Sequence, residues 1–99
     1  MLIARVRATA TDEGRETLIE TLSAEAGRIP TMFEGCELYV VSVDTADPNT
    51  VMIAEEWQSR ELFEAYQTSE HFSGVMAVAA PCLAAPPDSA YYDGDRVGP

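Results

Sequence analysis

The chemically versatile side chains of this chain are concentrated in one stretch, Glu55 to Phe72, with the sequence EEWQSRELFEAYQTSEHF. It contains Trp57, Tyr66 and His71, and His71 is the only histidine of the protein. A histidine titrates near neutral pH and can therefore take a proton from a weak acid such as a phenol. His71 is thus the candidate proton acceptor. A partly exposed histidine in the first turn of a helix is the alternative interpretation.

The aromatic and thioether side chains around His71 suit the walls of an apolar pocket. Trp57, Phe72 and Met76 are candidates for such walls, and each is also explained by ordinary core packing. Tyr66 lies one helical turn beyond Leu62, so its ring is expected to point toward the sheet. Its hydroxyl is then a candidate hydrogen-bond partner in catalysis, with core packing again as the alternative.

Two arginines of the first predicted strand, Arg5 and Arg7, share one face of that strand. Arg7 could border the pocket and stabilise a phenolate through a charge-assisted hydrogen bond, or both could pair with acidic surface residues. Glu55 and Glu56 point to opposite faces of their strand, so they do not form a paired-carboxylate site. Whichever of them faces the pocket would need Arg5 or Arg7 as its partner.

The composition excludes several classes of partner. The chain has 99 residues, 46% of them hydrophobic, and 17 acidic against 6 basic residues, for a net charge of −11. Nucleic acids and anionic membranes require clustered Lys and Arg, so neither is an expected partner. Cys36 and Cys82 stand apart without further ligand-like residues, which predicts no metal site and reduced thiols in a cytoplasmic protein. The N-terminal segment is too short and too polar to span a membrane.

The periodicity predicts a single α+β domain over residues 1–93 and a flexible tail over residues 94–99. Strands are predicted over residues 1–9, 36–44, 50–57 and 89–93. A helix begins at a cap formed by Thr11 or Asp12 and ends or kinks at Pro30, and Ser59 and Ser69 cap two shorter helices. The order β-α-β-β-α-β, with the second helical region divided in two, is the ferredoxin-like split βαβ arrangement with an antiparallel sheet.

Both faces of the predicted strands are apolar. Leu38 and Val40 oppose Tyr39 and Val41 along the second strand, although the helices can cover only one side of the sheet. An exposed apolar face of this size usually marks an interface. The sequence therefore predicts a homodimer in which two sheets pack face to face.

Three segments resemble the antibiotic biosynthesis monooxygenase superfamily, and within it the small quinol monooxygenase-like proteins. They are EGCELY over residues 34–39, DPNTVMIAEEW over residues 47–57 and SRELFEAYQTSEHF over residues 59–72. The resemblance implies a dimeric α+β barrel with a pocket between helices and sheet. It also implies oxygenation of a small aromatic quinol or polyketide-like phenol by dioxygen, with no cofactor.

One position departs from the family pattern. Many relatives carry a histidine in a run resembling EAHLxSPHF where this chain has Tyr66, while the second histidine of the run is retained as His71. Two alternatives therefore accompany the monooxygenase. One is an isomerase or cyclase of a small carbonyl compound, in which His71 moves a proton within the substrate. The other is a ligand-binding dimer without catalysis.

Overall fold

The computed structural model describes residues 1–98 and has four strands and three α-helices in the predicted order. Their bounds are β1 (Leu2–Thr9), α1 (Arg15–Met32), β2 (Cys36–Val43), β3 (Thr50–Trp57), α2 (Arg60–Gln67), α3 (Glu70–Ala79) and β4 (Asp88–Asp93), with a short 3₁₀-helix at Ala80–Cys82. The predicted strands agree with these bounds to within one residue.

The strands form one antiparallel sheet with the order β2-β3-β1-β4. The chain thus has the α+β ferredoxin-like fold that its element order predicts. The central strand β1 sets the register: Ala4 pairs with Glu55 on one side and with Tyr91 on the other. Because alternate residues of a strand share a face, this row and the rows two residues away face the helices.

The two short helices begin where the sequence predicts. The hydroxyl of Ser59 accepts a hydrogen bond from the backbone N–H of Leu62 at 3.2 Å, and the hydroxyl of Ser69 accepts one from Phe72 at 3.1 Å. Each serine satisfies a backbone donor that the first turn of the helix leaves free. These caps set the starting points of α2 and α3.

The N-cap predicted for α1 is wrong, and the helix does not end at Pro30. The helix has Gly14 at its N-cap, not Thr11 or Asp12, because the Thr11 hydroxyl instead accepts a bond from the Gly14 N–H in the turn before it. At the other end the helix continues past Pro30 to Met32. A proline so near a C-terminus removes one hydrogen bond without disrupting the turns before it.

The core lies between the sheet and the helices, and α1 contributes one ionisable residue to it. The buried residues of α1 are Leu18, Leu22, Glu25 and Ile29. Glu25 is 2% exposed, so a carboxyl occupies a position on the apolar stripe of this helix. The sequence pattern alone did not predict this buried carboxyl.

The turn between α1 and β2 depends on Gly35. Its φ is +89°, and a Cβ there would lie 2.4 Å from Cδ1 of Leu62. Only glycine adopts this backbone conformation readily, and only glycine leaves room for the Leu62 side chain. This close approach holds the start of β2 against α2.

The helices cover one face of the sheet, and the other face is uncovered in the single chain. Val40 is 43% exposed and Tyr92 50% exposed on that face. The sequence predicts that two copies of the chain pack together through this face. That dimer stays a prediction.

Residues 94–98 have no regular secondary structure, and Pro99 of the predicted tail lies outside the described residues. The segment contacts the domain at two points: the Gly94 N–H donates to the Met1 carbonyl at 3.0 Å, and Arg96 Nη2 lies 2.9 Å from Glu56 Oε1. No helix within residues 1–98 is both long and apolar enough to cross a membrane.

Candidate active site

An apolar cavity of about 220 Å³ lies between the sheet and helices α2 and α3. Strands supply its floor and helices its roof. The residues that line it are Val6, Leu22, Tyr39, Ile53, Glu55, Phe63, Tyr66, Gln67, Phe72, Val75, Met76, Pro87, Ser89 and Tyr91. Most are aliphatic or aromatic, so the few polar groups must determine how a ligand is oriented.

Glu55 is the only carboxyl among these lining residues. It is 5% exposed, and its Oε1 accepts a hydrogen bond of 3.0 Å from the indole Nε1–H of Trp57. Burial raises the pKa of Glu55 from 4.5 to about 7, although the bond from Trp57 acts in the opposite direction. A carboxyl with such a pKa can take up a proton near neutral pH, as a general base must.

Two buried phenols, Tyr39 and Tyr66, line the cavity at the same end as Glu55. Burial raises the pKa of both hydroxyls above their usual range, and the nearby Glu55 carboxylate raises it further. They are therefore neutral hydrogen-bonding groups at physiological pH. Tyr39 pairs with Glu55 across β2 and β3, which places one phenol next to the carboxyl.

Tyr66 stands at the centre of an aromatic cluster. Its ring stacks on Trp57 with centroids 5.1 Å apart and planes at 21°, and Phe72 meets it edge-on at 5.2 Å. Such contacts hold the phenol in one orientation. Of the residues predicted from the sequence, Tyr66, Phe72 and Met76 line the cavity, whereas Trp57 is completely buried and contacts Tyr66 and Glu55.

His71 does not line this cavity. It lies in an open groove between α1 and α3, where its Nε2 is 2.6 Å from Oε2 of the buried Glu25. The ring of Phe33 contacts both His71 and Tyr66, with centroid distances of 5.8 Å and 5.1 Å respectively. The single histidine therefore lines the groove, and Tyr66 lines the cavity.

Arg7 also lies away from the cavity. It projects from the opposite face of the sheet, with its side chain 53% exposed and Nη2 3.5 Å from Asp44 Oδ2. The expectation that a pocket-facing glutamate needs an arginine partner is wrong. Glu55 is bonded to the Trp57 indole because both residues face the helices, whereas Arg5 and Arg7 face the other way.

Glu55 and Tyr39 are the cavity residues whose importance the sequence analysis missed. The signal was present in the alternation of β3, since Ile53 and Trp57 share a face with Glu55. A carboxyl between two large apolar residues of one strand face indicates a buried group. Within residues 1–98, no cluster of three or more potential metal ligands is found.

The fold and the cavity define a class of small α+β proteins that enclose an apolar site between an antiparallel sheet and its helices. The family model for antibiotic biosynthesis monooxygenase matches residues 1–78, and the chain belongs to this family. Membership supports a monooxygenase-like function in general terms. None of the curated proteins matches the chain.

Solved structures show the same fold along the whole chain. A Deinococcus radiodurans protein assigned to the antibiotic biosynthesis monooxygenases superposes with a TM-score of 0.89 at 19% identity, covering 100% of this chain and 97% of its own. Rv0793 of Mycobacterium tuberculosis gives 0.88 at 17% identity, covering 98% of both chains. A Chloroflexus aurantiacus protein with the same assignment gives 0.73 at 26% identity, covering 97% of both.

Proposed function

We propose that this protein is a cofactor-independent monooxygenase that oxidises a small aromatic quinol or polyketide-like phenol with dioxygen. The observation that carries the proposal is the buried Glu55 carboxyl in an otherwise apolar cavity of a chain of this family. An apolar cavity accepts an aromatic ring, and a carboxyl with a pKa of about 7 accepts the phenolic proton.

In the proposed reaction, Glu55 takes a hydroxyl proton from the bound substrate. The resulting anion is electron-rich and transfers one electron to dioxygen, and the two radicals combine to form a carbon–oxygen bond. The peroxide anion takes the proton back from Glu55 to become a hydroperoxide. The hydroperoxide loses water together with the hydrogen on the same ring carbon, which leaves a carbonyl oxygen there. One oxygen atom enters the product and the other leaves as water, so the substrate supplies all the electrons.

The other polar groups of the site have supporting roles in this proposal. The Tyr66 hydroxyl is a hydrogen-bond partner for the substrate oxygen, and Phe72 and Met76 hold the ring. Trp57 orients the Glu55 carboxylate through its indole N–H. The sequence favoured His71 as proton acceptor, and that assignment is the alternative to Glu55.

Oxygen uptake by metal-free protein tests the proposal. With 1,4-dihydroxynaphthalene, the protein is expected to consume dioxygen. Glu55→Gln is expected to lower kcat about 100-fold or more, as expected for loss of a general base. Glu56→Gln removes the same charge from the other face and should leave the rate unchanged. An isomerase would instead turn over under nitrogen.

Two results would overturn parts of this proposal. Absence of oxygen uptake across a broad phenol panel would exclude the monooxygenase. Full activity in Glu55→Gln together with a large loss in His71→Ala would keep the reaction and move the proton acceptor to His71.

The acting form in this proposal is a homodimer. The uncovered face of the sheet carries Val40 and Tyr92, and burying an apolar side chain of this kind is worth about 1.5–3 kcal/mol. A second copy packed on this face would remove that surface from water.

A further inference from the structure

We propose that Gln67, Ser89 and Tyr91 form a second polar end of the cavity and bind the far oxygen of a dihydroxyaromatic substrate. This inference rests on the proposed function, because it assumes that a phenol occupies the cavity with one hydroxyl at Glu55. It assigns to these three residues the choice between a diphenol and a monophenol.

The strand register places the two polar ends on opposite sides of the cavity floor. Ala4 pairs with both Glu55 and Tyr91, and Val6 pairs with both Ile53 and Ser89. Adjacent strands are about 4.8 Å apart, so the backbones of Glu55 and Tyr91 are about 10 Å apart across β1. Both side chains face the helices, and both line the same cavity.

The space between the two ends is apolar. Val6 and Ile53 form the floor there, and Phe63 and Phe72 lie over it. A flat ring bound between them has its edges at the two polar ends. An aromatic with oxygens on opposite sides therefore satisfies both ends at once, whereas a monophenol leaves one of them without a ligand partner.

The second polar end is held together by a bond between α2 and β4. Gln67 Nε2 donates to the Tyr91 hydroxyl at 3.3 Å, and the ring of Tyr91 packs on Phe63 with centroids 5.3 Å apart. This bond joins two of the residues that line the cavity and fixes which way the Gln67 amide is turned. Its carbonyl oxygen is an acceptor suited to a substrate hydroxyl, and the Ser89 hydroxyl can both donate and accept.

A cavity of about 220 Å³ also limits the size of the ligand. Sites for drug-sized molecules are usually about 300–1,000 Å³, so this one suits one or two fused rings. The residues that line it include no arginine or histidine, and Glu55 would repel an anionic group. A small uncharged diphenol meets both limits.

Calorimetric titration under nitrogen tests the inference without depending on turnover. The probes are 1,4-dihydroxynaphthalene and its monomethyl ether, 4-methoxy-1-naphthol, which lacks the second hydroxyl proton. The wild-type protein is expected to bind the diphenol about fivefold more tightly, the ratio that one neutral hydrogen bond of typical strength provides. Gln67→Leu and Ser89→Ala should each bring that ratio toward one, with little change in affinity for the ether.

Arg60→Met is the matched control. Arg60 Nη2 lies 3.0 Å from Asp93 Oδ2, so this variant removes a neighbouring link between α2 and β4 without touching the cavity. It should keep the fivefold ratio. Equal affinity of the wild type for the diphenol and the ether would overturn the assignment. It would also be overturned if the affinity ratio stayed unchanged in both Gln67→Leu and Ser89→Ala, or if it fell equally in Arg60→Met.

The same titration separates this inference from the proposed function. Preference for the diphenol, together with no oxygen uptake across the phenol panel, would exclude the monooxygenase and leave the second polar end standing. Oxygen uptake with equal affinity for both probes would exclude the second polar end alone. If neither probe binds, both proposals fall.

Discussion

Glu55 links the chemistry of the cavity to the stability of the fold, and Glu55→Gln should make the protein more stable at alkaline pH. Burial raises the pKa of this carboxyl from 4.5 to about 7 in the folded protein. The folded state therefore binds the proton more tightly than the unfolded chain does. Glutamine has the shape of the protonated carboxyl, and its carbonyl oxygen can still accept the indole N–H of Trp57.

The sign and size of the effect follow from this difference in pKa. Below pH 4.5 the carboxyl is protonated in both states and has no effect on the pH dependence. Between pH 4.5 and about 7 only the unfolded chain loses the proton, so the stability of the wild type falls as the pH rises. One pKa unit corresponds to about 1.36 kcal/mol, so the loss is complete above pH 7 at about 3 kcal/mol.

Urea unfolding from pH 4.5 to pH 8.5, at one protein concentration, measures this effect. Trp57 is the single tryptophan and is completely buried, so its emission reports unfolding. The stability difference between Glu55→Gln and the wild type should grow by about 3 kcal/mol across this range. Glu56→Gln lowers the charge equally at an adjacent residue on the other face, and its difference should stay within about 0.5 kcal/mol.

A pH-independent difference for Glu55→Gln would refute the reasoning, because it would mean that burial does not perturb the carboxyl. Equal growth of the difference in Glu56→Gln would also refute it. In that case the effect would come from the net charge of −11 and not from the buried site.

Three further predictions concern the parts of the fold that surround the site. His71→Ala should cost about 2 kcal/mol in urea unfolding, because the buried Glu25 loses its 2.6 Å partner and keeps only the more distant Arg28, whose Nη1 lies 3.7 Å from Oε1. Adding Glu25→Gln should restore most of the loss, and a fully additive double mutant would contradict this. Gly35→Ala should lower the free energy of unfolding by more than about 1 kcal/mol, because alanine would have to adopt a positive φ and its Cβ would clash with Leu62. An unchanged Tm would contradict this prediction. Val40→Arg should shift sedimentation from a dimer to single subunits, whereas a wild type that is already a single subunit at micromolar concentration would exclude the dimer.

Local patterns in the sequence determined the elements and their order. Period-2 alternation located the strands, and Ser59 and Ser69 located the starts of two helices, because capping depends on residues only three positions apart. The order of the elements then left the ferredoxin-like sheet as the expected topology, and the structure has it.

Only the tertiary structure decided which residues line the cavity. Which strand faces meet the helices depends on pairing across the sheet, and that pairing brings Glu55 and Tyr39 to one cavity and leaves Arg7 outside. The packing of α2 on the sheet adds Tyr66. The position of His71 depends on Glu25, 46 residues earlier in the chain, whose carboxylate holds the imidazole in the groove between α1 and α3. Local periodicity determines which side of its own element a residue occupies. Contacts between distant segments determine what lies opposite it.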